Sequence, residues 1–438
     1  MCKVEVVART FEKTDDNIAG FDPEFISEEM TIFSGRAAGI CYAPEDYLDN
    51  AIHDTVKAKN RAAFNAKSGH YSVYEHGHVS FIIQCSKAIA MVLNSTRLYA
   101  TSEKSARYTF MRAETELENQ MYQKWKEIFI KLISAYYDNI LAEKDIEKLA
   151  MENARYMISV FTNTTMEFTV PFGRAILLTG WLDQFADNIE AVFNDNAVAA
   201  HAEDVIINTV YYARLAKECR ELAESMRESL AIDKYNPILK DHKGMGIDFL
   251  SRINEVRVAG NIGVPEVNVA NSYKKDYYGN VYVSNYVASF ASVAQIQRHR
   301  TLQVEVNLCK KLECYIPDII KSTPYEAEWI KDFTNLVANG VCPQGTLLNV
   351  TESGRFEDFV LKCKERLCTR AQYETMRITQ QQVQEFNMVP AINLSAVNRA
   401  VLATMIAPDG STLNRCRFSG YCCKEPCKFV KTGYIRNV

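Results

Sequence analysis

Chain breakers are sparse in this sequence: 438 residues hold 18 glycines and 11 prolines, against 47% hydrophobic and 24% charged residues. That is ordinary globular composition, in a chain long enough for two or three domains with buried cores. No run of about 18 apolar residues occurs, so no membrane span is expected. The start, MCKVEVVARTF, has no long apolar core after a basic region. No secretory signal peptide is therefore expected, and the expected location is cytoplasmic. Nor is there an excess of positive charge. The net charge of −4 removes the electrostatic reason to expect duplex DNA or RNA as a partner. It leaves room for a small anionic ligand, for which a few local arginines suffice. Cysteine is the exception to this scarcity: thirteen thiols without an export signal point to a reducing compartment and mostly free cysteines.

What is present is a weak internal repeat. His78 to Cys85 alternates as a strand does, and Ser86 then caps an apolar helical stretch, SKAIAMVLNSTR. Asn280 to Ala288 does the same, and Ser289 caps SFASVAQIQRHR. Each helical stretch runs eleven residues from its serine to an arginine, Arg97 or Arg300. A period of two giving way to helical spacing, with serine at the junction, is a strand-to-helix signal. Residues 201–230 and 369–386 form a second pair of helical stretches, and 231–246, polar with Pro and Gly, reads as a linker. The expected domains are therefore 1–232 and 233–438, the second with a cysteine-rich tail at 410–430. The fold class is α/β (α+β), with helices around a small mixed sheet in each copy.

Several segments carry chemistry in a recognisable order. HYSVYEHGHVSF opens at His70 and contains Ser72, Glu75 and His76; RAAGICY runs from Arg36 to Tyr42. Ser95-Thr96-Arg97 is followed after seven residues by Ser105-Ala106-Arg107-Tyr108, with Glu103 just before. In the second half Arg298-His299-Arg300 is intact, with Gln295 three residues upstream. Seven residues on, however, stands Leu308, with Val306 and Lys310 in place of an acid and an arginine. Taken singly these are weak: an Arg-His-Arg triplet is usually a solvated helix end, and HxSxxEH can be a Glu-His surface pair or a partial metal site.

In combination the chain resembles the flavin-dependent thymidylate synthases, as a tandem two-copy member with partly degenerate motifs in each half. That family carries Arg-His-Arg, seven residues, then Ser-Xaa-Arg-Tyr, preceded by His-Xaa-Ser/Thr-Xaa-Xaa-Glu-His. The resemblance implies a nucleotide site shared between two copies. One copy gives Glu103, Ser105, Arg107 and Arg155; the other gives Gln295, Arg298 and Arg366, the last six residues before Gln372 in AQYE. The mirror positions are empty, with Ala197 before His201-Ala202-Glu203 and no arginine from 301 to 354. One composite site per chain is thus expected, with Arg366, Arg298 and Ser105 as catalytic residues. Arginine forks suit a nucleotide phosphate, and an amide or guanidinium suits the carbonyls of a uracil, where charge builds as hydride arrives.

By the same resemblance His70, Ser72, Glu75, Arg174, His299 and Arg300 frame a flavin. Phe172 replaces the asparagine usual before Arg174, and the second half offers Glu357 where an arginine is usual. The implied reaction is C5 methylation of dUMP or a close pyrimidine nucleotide, with FAD, NADPH and methylenetetrahydrofolate. The implied assembly is a homodimer of tandem chains, a pseudo-tetramer, with neither nucleic acid nor membrane as partner. The alternatives are another pyrimidine nucleotide, or a non-catalytic nucleotide- or flavin-binding homologue. Outside the resemblance, Cys416, Cys422, Cys423 and Cys427 are weak candidates for a metal site. Their spacing matches no standard CxxC pair, and adjacent cysteines ligate one metal poorly, so free thiols are the plainer reading.

Overall fold

The computed structural model describes residues 2–10, 22–40, 54–96, 99–105, 109, 111–196, 202–234, 236–240, 266–270, 281–309, 312–388, 396–421, 423, 429 and 436–438. The chain forms two compact units: Met1–Lys104 with Asn163–Ala200 and Thr209–Asn254, and Ser105–Thr162 with His201–Asn208 and Glu255–Val438. Compactness therefore follows a different partition from the repeat, since residues 105–162 of the first half belong to the second unit.

The first unit is built on a four-stranded sheet of β1 (Lys3–Arg9), β2 (His78–Ser86), β3 (Ala100–Glu103) and β4 (Asn163–Pro171), in the order β1-β2-β4-β3. Strand alternation decides which face is buried: Val79, Phe81, Ile83 and Cys85 of β2 and Thr164, Met166, Phe168 and Val170 of β4 point inward. Helices α1 (Pro23–Ile40) and α2 (Thr55–Lys67) form a hairpin beside it. Ala58, Ala62 and Ala66 line one face of α2 at spacing four, and a side chain at Gly35 would lie 1.9 Å from the Ala58 carbonyl oxygen. Small residues alone permit that approach. Helix α3 (Lys87–Ser95) leaves β2 at Ser86, whose hydroxyl accepts from the Ile89 amide at 3.2 Å. It ends two residues short of Arg97, which lies outside the described residues.

The second unit contains α4 (Glu116–Tyr136) and α5 (Glu143–Ala154). Its sheet, β5 (Glu266–Ala270), β6 (Val281–Ser289), β7 (Gln303–Leu308) and β8 (Leu347–Arg355), has the order β5-β6-β8-β7, the same as the first. The central pairs match as well: nine residues of β2 pair with nine of β4, and nine of β6 with nine of β8. Both sheets are antiparallel throughout rather than mixed. β2 and β3 run the same way, as do β6 and β7, but β4 or β8 lies between them, so no two neighbouring strands are parallel.

Helix α4 opens with a capping box between Thr115 and Glu118. It buries Trp125, Phe129 and Ile133 at helical spacing. Trp125 meets Trp329 of the later helix Pro324–Ala338 edge-on at 4.7 Å, and its ring N–H donates to Asp332 at 2.9 Å. Four residues before β4 and four before β8, Ser159 and Pro343 form an isolated antiparallel bridge, so equivalent points of the two halves pair with each other.

The first helix–strand junction of the second half runs as expected. Ser289 ends β6 and caps the helix Phe290–Ile296, accepting from the Ser292 amide at 3.1 Å. That helix stops before Arg298, about one turn short of the expected end at Arg300. The helical stretch expected at 369–386 begins at Tyr373 and continues to Met388, and that at 201–230 spans Ala202–Ser229. The expected linker is described only in part, with a short helix at Pro237–Lys240.

Candidate active site

In the second unit a chain of buried polar side chains joins residues from both halves of the sequence. Arg155 starts the 3-10 turn Arg155–Met157, which continues α5, and its Nη2 donates to Gln372 Oε1. Gln295, on the helix after Ser289, donates through Nε2 to the same oxygen. Gln372 Nε2 in turn donates to the Tyr156 hydroxyl, which donates to Glu374 Oε2 at 2.9 Å. Glu374 also accepts from the Ser289 amide at 2.7 Å and the Ser289 hydroxyl at 2.6 Å.

The polarity of this chain is forced. A guanidinium only donates, so Gln372 must turn its oxygen to Arg155. Gln295 must then present its amide nitrogen to that oxygen, and its own carbonyl oxygen is left over. Among the described residues, Gln295 Oε1 is buried and has no hydrogen-bond partner. A buried acceptor in this state suits a donor from a bound molecule.

Arg366, the last residue of the helix Phe356–Arg366, turns to the same place from another side. Its Nε donates to His299 Nε2 at 2.8 Å and its Nη2 to the Gln295 carbonyl at 2.9 Å. His299 is therefore an acceptor here, and neutral. Burial above all, and then the cations Arg366, Lys362 and Arg298, lower its pKa to about 2. Glu374 is also buried: desolvation raises its pKa, opposed by the donors Ser289 and Tyr156 and by the charge of Arg155. Burial pushes the Tyr156 phenol well above its ordinary value, so it serves as a neutral donor.

Of the expected site residues, the structure thus joins Arg155, Gln295, Arg366 and His299. Arg298 and Arg300 flank His299 and are exposed. Ser105 belongs to the same unit, its carbonyl accepting from the Thr109 amide and hydroxyl at 3.2 and 2.7 Å. Arg107 lies outside the described residues. Glu103 belongs to the first unit, where Lys87 reaches it at 2.5 Å and Asn94 at 3.3 Å. In the sequence Gln372 stands only as a landmark for Arg366, and nothing singles out Tyr156 or Glu374, although one follows Arg155 directly and the other ends AQYE.

The expected flavin residues of the first half gather in the first unit. His70 precedes the 3-10 turn Tyr71–Glu75, and Glu75 lies 2.9 Å from Arg174. A side chain at Gly173 would come within 2.7 Å of the Tyr74 Cβ, so glycine lets this turn press on the start of the helix Phe172–Asn196. An exposed imidazole, an exposed hydroxyl and a half-exposed guanidinium fit the anionic part of a flavin dinucleotide, with Glu75 offsetting part of that charge. Strand register pairs His78 with Pro171 and Val281 with Arg355, so the position equivalent to Arg174 is Asp358 rather than Glu357. Asp358 caps its own helix, accepting from the Arg355 amide at 3.2 Å. Among the described residues no group of three or more His, Cys, Asp or Glu side chains could hold a metal ion, and Cys422 and Cys427 lie outside them. Nor, among the described residues, is any helix long and apolar enough to cross a membrane.

Residues 31–172 match the family model described as Thymidylate synthase complementing protein. No curated protein matches the chain. Among solved structures it is similar to a UMP/dUMP methylase, PolB, from Streptomyces cacaoi bound with 5-Br dUMP. That likeness has 16% identity and a TM-score of 0.28, over 41% of this chain and 77% of the other. The chain is also similar to Thymidylate Synthase X (ThyX) from Helicobacter pylori with FAD and dUMP, at 15% identity and a TM-score of 0.25, over 55% of this chain and 100% of the other.

Proposed function

We propose that this chain methylates dUMP at C5 in a single composite site, with methylenetetrahydrofolate as carbon donor and NADPH as reductant. The observation that carries this reading is the meeting of Arg155 and Gln295, one from each half, on the Gln372 amide oxygen, with Gln295 Oε1 left as a buried acceptor. The imide N3–H of a uracil is the donor that this acceptor suits. Cytosine presents an acceptor at N3 and would leave Gln295 Oε1 facing it. Arg155, with Ser105 and Arg107, would hold phosphate and sugar; Arg366 and Arg298 would bring positive charge to the base carbonyls as electrons enter the ring. Neutral His299 would keep Arg366 oriented without adding a competing charge.

FAD, when bound and reduced by NADPH, would supply the hydride that passes to the base, and His70, Ser72, Glu75 and Arg174 would hold it, with Arg300 beside the nucleotide. The sequence division at 232/233 then marks two copies of one ancestral unit, and two chains would form the pseudo-tetramer. The test is titration calorimetry of the full chain with dUMP, alongside tritium release from C5-labelled dUMP in the presence of folate, NADPH and FAD. One dUMP per chain is expected, with Arg155→Ala and Gln295→Ala each weakening binding at least about 100-fold, in line with loss of a buried charge-assisted contact. Two nucleotides per chain, or binding indifferent to both substitutions, would overturn the composite site. Tritium release from UMP but not dUMP would reassign the substrate, and failure to take up FAD would favour a non-catalytic homologue.

A further inference from the structure

We propose that Arg436 is a positioning residue for the nucleotide site, a staple that sets Gln372 against Arg155; the role in binding rests on the function proposed above. Residues 436–438 lie beyond every motif that carries the family resemblance, yet Arg436 is only 3% exposed. Its Nη2 donates to Glu152 Oε1 at 2.6 Å, its Nη1 to the Thr369 carbonyl at 2.7 Å and to the Ala371 carbonyl, and its Nε to the Val438 carbonyl.

The placement of these acceptors is what matters. Glu152 stands one helical turn before Arg155, and Thr369 and Ala371 immediately precede Gln372. One planar cation therefore ties together the two stretches of chain whose side chains meet at Gln372 Oε1. A guanidinium fork fixes direction as well as distance, which a lysine ammonium does not. A separate contact anchors the same residues: the Tyr137 hydroxyl donates to Asn437 Oδ1 at 2.7 Å and accepts from the Asn437 amide at 2.9 Å. Among the described residues, Arg436 hydrogen-bonds to none of the side chains assigned to the nucleotide, so its influence passes through Glu152 and the carbonyls of Thr369 and Ala371.

The experiment compares Arg436→Lys with Tyr137→Phe in the full chain. Lysine retains a charge for Glu152 and loses the fork; phenylalanine loosens the same tail and leaves the fork in place. Arg436→Lys is expected to raise the Kd for dUMP at least tenfold, while Tyr137→Phe leaves it within twofold even where the two variants melt at the same temperature. A Kd that follows melting temperature alike in both variants would reduce Arg436 to a structural residue and overturn the proposal.

Ligand-free crystals of Arg436→Lys test the geometry without any need for dUMP. A Gln372 amide displaced from Arg155 supports the staple, and an unchanged contact sinks it. If the unsubstituted protein binds no dUMP, the proposed function fails, and these crystals still decide the positioning claim. Where Arg436→Lys does not fold, Glu152→Gln, which keeps a neutral acceptor for the guanidinium, is expected to move Kd and Gln372 in the same direction by less; no movement of either overturns the proposal.

Discussion

The two sheets share strand order and a nine-residue central pairing, yet their inner faces differ in chemistry. In the first, Val79, Phe81, Ile83 and Phe168 fill the buried positions. The matching positions of the second are Tyr282, Ser284, Tyr286 and Glu352. There Glu352 accepts from Tyr282 and Tyr286 at 2.7 Å each and from Lys362 at 2.6 Å, and Lys362 also reaches Gln382 at 2.6 Å. Both Glu352 and Lys362 are wholly buried. Burial and the Glu352 charge push the two tyrosine phenols well above their ordinary range, so both remain donors. One backbone pattern therefore tolerates an oil-filled and a polar interior, provided that every polar group finds a partner.

That contrast can be broken most sharply at the ion pair. Lys362→Met leaves Glu352 charged in a closed interior and is expected to lower unfolding stability by about 3–5 kcal/mol. Lys362→Met combined with Glu352→Leu removes both charges and is expected to recover most of the loss, because an apolar pair of similar volume is often as stable. Urea denaturation of the second unit's near-ultraviolet signal reads both variants. A double variant no better than the single one would mean that the polar network, rather than the volume, holds this sheet to its helices.

Legibility in the sequence followed the same line. The strand-to-helix junctions were readable because Ser86 and Ser289 sit where a period of two gives way to helical spacing. Arg155, Gln295 and Arg366 were readable because they stand in motifs with fixed offsets. The interior of the second sheet was not, since Tyr282, Ser284 and Tyr286 alternate just as an apolar strand does and the partners Lys362 and Gln382 come from distant helices. Nor was Arg436, which makes its contacts across nearly the whole second unit. The exclusion of parallel pairing escaped too, because alternation reports which face is buried and says nothing about strand direction.

A second difference separates His299 from its counterpart Thr96, which closes its helix by donating to the Leu93 carbonyl at 2.7 Å. The second half carries a buried titratable ring where the first has a hydroxyl. With its pKa lowered to about 2 when folded, His299 binds no proton in the folded state at pH values where the unfolded chain does. Its contribution to stability is complete above the unfolded pKa near 6.5 and is lost as pH falls below it, at up to about 1.4 kcal/mol per pH unit. His299→Gln, which keeps an acceptor for Arg366, is expected to flatten unfolding free energy against pH between 6.5 and 4.5. Thr96→Val is expected to leave the slope unchanged. An unaltered slope in His299→Gln would mean that the ring is not held neutral.

The smallest expected effect lies in the two capping serines, where the halves are most alike. Ser86 caps its helix and meets Glu218 at 2.5 Å; Ser289 caps its helix and meets Glu374 at 2.6 Å. Loss of either hydroxyl removes a cap and a contact to a carboxylate, so Ser86→Ala and Ser289→Ala are each expected to cost about 1 kcal/mol of stability. The partners differ in what lies beyond them. Glu374 continues through Tyr156 to Gln372, the residue on which Arg155 and Gln295 converge. Only Ser289→Ala is therefore expected to weaken dUMP binding, by about threefold to tenfold, as a loosened hydrogen-bond network would. Equal losses of affinity from both serines would show that capping, which the halves share, governs the site, and that the polar chain of the second unit does not.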